Sequence, residues 1–164
     1  KLARRTIEAY VCTGKTPERP EGLPKEMYSH KAGVFVSIKK EGTLRGCIGT
    51  IAARRNCVAE EIMENAVSAA ARDPRFSPIR PEELEFLTIS VDVLGETEEV
   101  QSPKELDVGR YGVIVTKGRK RGVLLPNLNG VDTVEEQIAI AKRKAGIRED
   151  DAVGLERFEV VRHY

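Results

Sequence analysis

The stretch "GVFVSIKKEGTLRGCIGT", Gly33 to Thr50, decides the fold of this chain. Two β-rich runs, "GVFVSIKK" and "TLRGCIGTI", flank the dipeptide Glu41-Gly42, which is a hairpin signal. Beyond the hairpin a helix is expected from about Cys57 to Arg72. Asn56 is its expected N-cap, Glu60 and Glu61 suit the positive helix start, and Pro74 follows the end. Val58, Ile62, Ala66 and Ala69 form an apolar stripe, with Glu61, Glu64, Ser68 and Arg72 on the expected wet face. Small alanines in that stripe let the helix lie close on a sheet. A further strand, "LTISVDVL", ends at Gly95.

The same order returns further on. "YGVIVTKGRKRGVLLP" reads as a hairpin turning at Gly118, and Thr133 and Glu136 form a T-x-x-E capping box. Lys142 to Lys144 suit the negative helix end, Gly146 caps it, and "LERFEVVRHY" closes the chain as a strand. Gly33-Val34-x-Val36-Ser37 can be laid on Gly112-Val113-x-Val115-Thr116, and Arg45-Gly46-Cys47-Ile48 on Arg121-Gly122-Val123-Leu124. The expectation is one α+β domain spanning 1–164. It would contain two similar hairpin-helix-strand lobes, roughly 33–95 and 111–164, sharing a largely antiparallel, strongly twisted sheet. Ahead of them, "LARRTIEAYVCTG" predicts an amphipathic helix stopped at Gly14, followed by a proline-rich loop from Lys15 to Lys25.

Composition narrows the function class. The 164 residues are 40% hydrophobic and 32% charged, a globular balance with a core of useful size. No apolar run approaches the ~18 residues of a membrane span, so a cytoplasmic protein is expected. The chain opens at Lys1 rather than Met and reads as a piece of a longer protein. Net charge is +1, which argues against a dedicated nucleic-acid binder. Three cysteines, Cys12, Cys47 and Cys57, and two histidines, His30 and His163, form no metal-ligand or disulfide pattern. No metal and no cofactor are therefore expected.

The chemistry concentrates at "LRGCIGT". The laid-over second half has Val123 at the position of Cys47, so an apolar residue suits that environment and the scaffold does not need sulfur there. Strand alternation puts Arg45 and Cys47 on one face, where a guanidinium beside the sulfur would favour thiolate. His30 or His163 would have to serve as base for a nucleophilic thiol. The flanking Gly46 and Gly49 do not make a phosphate loop, because strand character continues through Thr50 and Ile51. "ARDPRFSPIRPEEL", Ala71 to Leu84, offers Asp73 and Arg75 as pocket residues at a helix end, with Phe76 as a core plug. The basic turn "KGRKRG", Lys117 to Gly122, lacks the interleaved aromatics that base stacking needs.

Taken in order, "GVFVSIKK", "LRGCIGT", "DPRFSPIRPEEL", "GRYGVIV" and the "LLP" of Leu124 to Pro126 resemble the AMMECR-type domain family, the AmmeMemoRadiSam system protein A-like proteins. The resemblance covers nearly the whole chain. It implies an α+β fold of two lobes and no settled activity. It implies as partners a Memo-like protein of the extradiol-dioxygenase type, separate or fused ahead of this domain, and a radical-SAM protein. It centres the site on the RGCIG motif, here Arg45, Gly46, Cys47, Ile48 and Gly49. Many members follow "LLP" with a Gln-Val-Ala stretch, a tryptophan and a later cysteine. Here the segment is "PNLNGVDTVEEQIAIAKRKAGI", with no tryptophan in the chain and Ala141 near the place of that cysteine. The expected function is an accessory or ligand-binding module with a pocket around RGCIG. The alternatives are an enzyme with Cys47 as nucleophile and a nucleic-acid module using the Lys117 to Arg121 turn.

Overall fold

The computed structural model describes residues 1–164, which form two compact units, Lys1–Leu94 with Val161–Tyr164, and Gly95–Val160. In the first, helix α1 (Leu2–Thr13) stops at Gly14, whose φ of 71° supplies the left-handed cap. A short helix, α2 (Lys25–Ser29), follows the proline-rich loop. Strands β1 (Val34–Lys40) and β2 (Thr43–Gly49) then form the hairpin, turning at Glu41 and Gly42, both at positive φ. Helix α3 (Val58–Ala71) and, after a 3-10 turn over Pro81–Phe86, strand β3 (Leu87–Leu94) complete the motif.

Alternation fixes which face is core. Val34, Val36 and Ile38 are fully buried, and Leu87, Ile89 and Val91 join them beneath Ile62, Ala66 and Ala69 of α3 and Ile7 of α1. Burial of each aliphatic side chain is worth roughly 1.5–3 kcal/mol. The helix approaches so closely that a Cβ on Gly46 would lie 2.3 Å from the Ala69 carbonyl oxygen. Asn65 of α3 adds a polar tie, its Nδ2 donating to the Val34 carbonyl at 2.9 Å.

The second unit holds β4 (Glu98–Val100), β5 (Gly112–Lys117), β6 (Lys120–Leu124), helix α4 (Val134–Lys144) and β7 (Gly154–Phe158). Thr133 and Glu136 make the expected capping box at α4. Gly122 repeats the role of Gly46, since a Cβ there would lie 2.0 Å from the Ala141 carbonyl oxygen. Gln137 repeats Asn65, its Nε2 donating to the Tyr111 carbonyl at 2.9 Å.

Several expectations need correction. The lobes do not share one sheet; there are two four-stranded sheets, ordered β2-β1-β3-β8 and β4-β7-β5-β6. The closing segment splits at Glu159 into β7 and β8 (Val160–His163), one strand for each sheet. The polar connector after Gly95 contains β4, too short and charged to read as a strand. The strand overlay of the halves also slips by two residues. Gly46 pairs with Ile38, and Gly122 with Val115, so Ile38 rather than Val36 corresponds to Val115. A slip of two keeps every side chain on its face, so hydrophobic alternation cannot detect it. At α3 the N-cap is Cys57 rather than Asn56, without a side-chain cap bond. Glu61, expected on the wet face, is buried and receives the loop after β2. Its carboxylate accepts from Thr50 Oγ1 at 2.6 Å and from the Arg54 and Arg55 amides at 2.8 Å.

Candidate functional site

Cys47 sits on β2, the edge strand of the first sheet, directly opposite Ser37 of β1. Antiparallel partners on one face come within side-chain reach, and here Cys47 Sγ lies 3.2 Å from Ser37 Oγ. The backbone groups of Cys47 point to the free edge of the sheet, where the Asp73-Pro74-Arg75 turn meets them. The Cys47 amide donates to Asp73 Oδ2 at 2.9 Å, and Arg75 Nη2 donates to the Cys47 carbonyl at 3.2 Å. Arg75 and Asp73 also pair with each other, Nη2 to Oδ2 at 2.8 Å and Nε to Oδ1 at 3.0 Å. This acid-base pair therefore closes the edge at Cys47 as one more residue of sheet would, one member accepting and the other donating. The Arg75 hydrogen bond, with help from the Cys47 amide and against the cost of burial, holds the Asp73 carboxyl at about 2.

Arg45 does not lie beside the sulfur as alternation predicts. A register shift between Ile38 and Lys39 makes Arg45 the extra residue of a β-bulge, which re-aims its side chain. Its guanidinium forks onto Glu83, Nε and Nη2 each at 3.0 Å, and Nη1 donates to the Ser77 carbonyl at 2.8 Å. Lys40 Nζ joins the same carboxylate at 3.2 Å. Arg45 thereby holds the Glu83 carboxyl at about 2. Gly46 and Ile48 face α3, Gly46 packed under the helix and Ile48 against the core. Gly49 lies under the Phe35 ring, 2.2 Å from where a Cβ would be. Thus RGCIG supplies one half-buried thiol, two glycines required by packing, one core contact and one arginine tied to the 3-10 turn.

No histidine is bonded to the sulfur. His30 Nδ1 pairs with Ser29 Oγ, and His163 lines a separate depression with Lys1, Arg4 and Tyr164. Beside the Cys47 strand lies an open depression of about 680 Å³, framed by Lys40, Arg45, Arg75, Phe76, Arg80 and Glu83. Phe76 is half-buried there, stacked under the Arg75 guanidinium at 5.4 Å, rather than plugging the core. Cys47 is not among the residues lining this depression. No group of three His, Cys, Asp or Glu residues is placed to hold a metal ion, and no helix is long and apolar enough to cross a membrane. Ser37, Lys40, Glu61, Arg80 and Glu83 were missed by sequence reasoning. Regular pairing about Glu41-Gly42 would set Cys47 opposite Val36, and only the bulge at Arg45 brings Ser37 there; the partners of Glu61 and Glu83 depend on tertiary packing.

The AMMECR1 family model matches residues 1–163. A protein of Thermotoga maritima is 51% identical over 165 residues, covering 99% of this chain and 95% of its own length. A protein of Clostridium acetobutylicum is also 51% identical, over 164 residues; 99% of this chain corresponds to 35% of that longer protein. Among solved structures, the uncharacterized protein PH0010 from Pyrococcus horikoshii superposes with a TM-score of 0.90 and 34% identity, covering 98% of this chain and 86% of its own. The chain belongs to the AMMECR1 family.

Proposed function

We propose that this chain is a cytoplasmic accessory module that binds a partner or its ligand beside the RGCIG strand, and that it works with a Memo-like protein and a radical-SAM protein. The observation that carries this reading is the closure of the β2 edge by Asp73 and Arg75. It fixes the Cys47 backbone and leaves half of the Arg75 side chain facing the open depression next to Arg80. Such an arrangement presents a rigid recognition surface. A nucleophilic site would also need a base at the thiol, and the hydrogen-bonding neighbour of Cys47 Sγ is a serine hydroxyl. Association with a further domain is supported by the Clostridium relative, of which this chain spans about a third.

The test is reconstitution. The chain is mixed with the Memo-like and radical-SAM proteins of its own genome, and complexes are sought by size-exclusion chromatography with light scattering. A defined complex with either protein is expected. Absence of any complex, together with turnover of an acyl or disulfide substrate by the isolated chain that Cys47→Val abolishes, would replace this reading with the nucleophile one.

A further inference from the structure

Two of the three ion pairs around the 680 Å³ depression share an orientation, the acid beneath and the cation facing out, while Arg45 and Glu83 are equally buried. The Asp73 side chain is 2% exposed and its partner Arg75 51%; the Glu83 side chain is 15% exposed and its partner Lys40 36%. Arg80 is exposed and makes no ion pair. Glu82 is the exception, an exposed acid on the rim. Although the pairs are balanced internally, the surface that an approaching molecule meets is cationic, with the Arg80 fork and Arg75 Nη1 left to donate, since Arg75 Nε and Nη2 are held by Asp73 and the Cys47 carbonyl.

Apolar side chains are also exposed on β2 and the 3-10 turn, outside the lining of the depression. Leu44 on β2 and Phe86 at the end of the 3-10 turn are 40% and 46% exposed, two of the four large hydrophobic residues that this chain leaves in solvent. Phe76 adds a half-buried ring within the depression. An aromatic ring under an arginine in a cationic depression has the composition of an interface rather than of an idle surface. The depression is wide-mouthed, and the β2 edge at Cys47 is already closed by Asp73 and Arg75. A partner therefore cannot add a strand at that point and must bind through its side chains.

We infer that the Lys40–Arg75–Arg80 depression docks an acidic segment of a protein partner, whose carboxylates meet Arg75 and Arg80 while an apolar side chain covers Phe76. This rests on the docking reading above and names the chemistry of what docks. The fixed Asp73–Arg75 pair orients one guanidinium before binding, and Arg80 supplies the second without breaking an internal pair.

The experiment is NMR titration of the isotopically labelled chain with three probes: a synthetic peptide alternating Glu with Leu and Phe, the same peptide with Lys for every Glu, and inorganic phosphate. The acidic peptide is expected to shift resonances at Lys40, Arg45 and Arg75 to Arg80. It should bind at least about tenfold tighter than its basic counterpart, with affinity falling as salt rises. Arg80→Glu should weaken it by about tenfold or more and improve binding of the basic peptide, whereas Phe76→Ser should weaken both. Equal binding of the two peptides, no binding, or shifts confined to another surface would overturn the inference. Displacement by phosphate alone would make this a small-anion site, and dimerisation of the chain through the same residues would make the occupant a second copy; both also overturn it. If the reconstituted complex forms and ignores Arg80→Glu, the docking function stands and this surface is wrong. If the peptide binds and no complex forms, the surface stands and the assigned partners are wrong.

Discussion

At Cys47 the strong contacts go to the backbone, whose amide and carbonyl are held by Asp73 and Arg75, while the sulfur faces Ser37. Alkylation should therefore follow exposure: Cys12, which is exposed, first; Cys47, half-buried, second; Cys57, buried under Arg19, last. Timed mass spectrometry at neutral pH reads this order, and Cys47 overtaking Cys12 would speak for an activated thiol. Asp73 carries a pH signature. Its folded value of about 2 lies below the ordinary 3.8, so its contribution is fully present above about 3.8 and is lost as pH falls through 2. At neutral pH that contribution is on the order of 1–2 kcal/mol, because solvent screens the half-exposed Arg75. Asp73→Asn should thus lower the urea midpoint clearly at pH 7, and the gap from the unmutated chain should close between pH 4 and 2. A constant gap across that range would assign Asp73 a packing role alone. The residue types at this site were legible in the sequence, but the partner of Arg45 was not. Alternation assigns a face only while the ladder is regular, and the bulge between Ile38 and Lys39 sends the guanidinium to Glu83.

Among the elements, α3 on β2 and α4 on β6 show the same contact, a glycine under a helix carbonyl. Adding a methyl at Gly46 or Gly122 must push a helix off its sheet, because the atom met is backbone and cannot rotate away. Gly46→Ala and Gly122→Ala should each cost about 1–3 kcal/mol of stability by urea denaturation. Gly118→Ala, in an open turn, meets no atom and should cost less, through its positive φ alone. Equal losses at all three would contradict the packing account. Elements with strong local signals were readable: the hairpin turn at Glu41-Gly42, the Thr133–Glu136 capping box and the Gly14 stop all occur. The N-cap of α3 was not, because the residue that organises its entry is Glu61 inside the helix, binding three donors of the preceding loop. β4 and the break at Glu159 were also hidden, since each is settled by which sheet offers an open edge rather than by local composition.

For the whole molecule, a mixed helix-and-sheet chain with antiparallel hairpins followed from the sequence, while its division into two four-stranded sheets did not. The charge balance of +1 is also local in the second unit: Lys117 pairs with Asp151, Arg121 with Glu156, and Lys120 donates to the Gly146 carbonyl. Those cations are already engaged, so RNA and DNA at ~0.15 M salt should bind no tighter than micromolar. Nanomolar, sequence-specific binding in a titration would promote the nucleic-acid reading. In the first unit, the proposed recognition runs through the cationic rim beside β2 and not through the thiol of Cys47. The decisive test is calorimetric titration of the proposed Memo-like partner into the unmutated chain, Cys47→Val and Arg80→Glu. Binding should survive Cys47→Val, whose replacement is the residue the second unit carries at the matching strand position, and fall by about tenfold or more in Arg80→Glu. Loss of binding in Cys47→Val with Arg80→Glu unaffected would contradict the account.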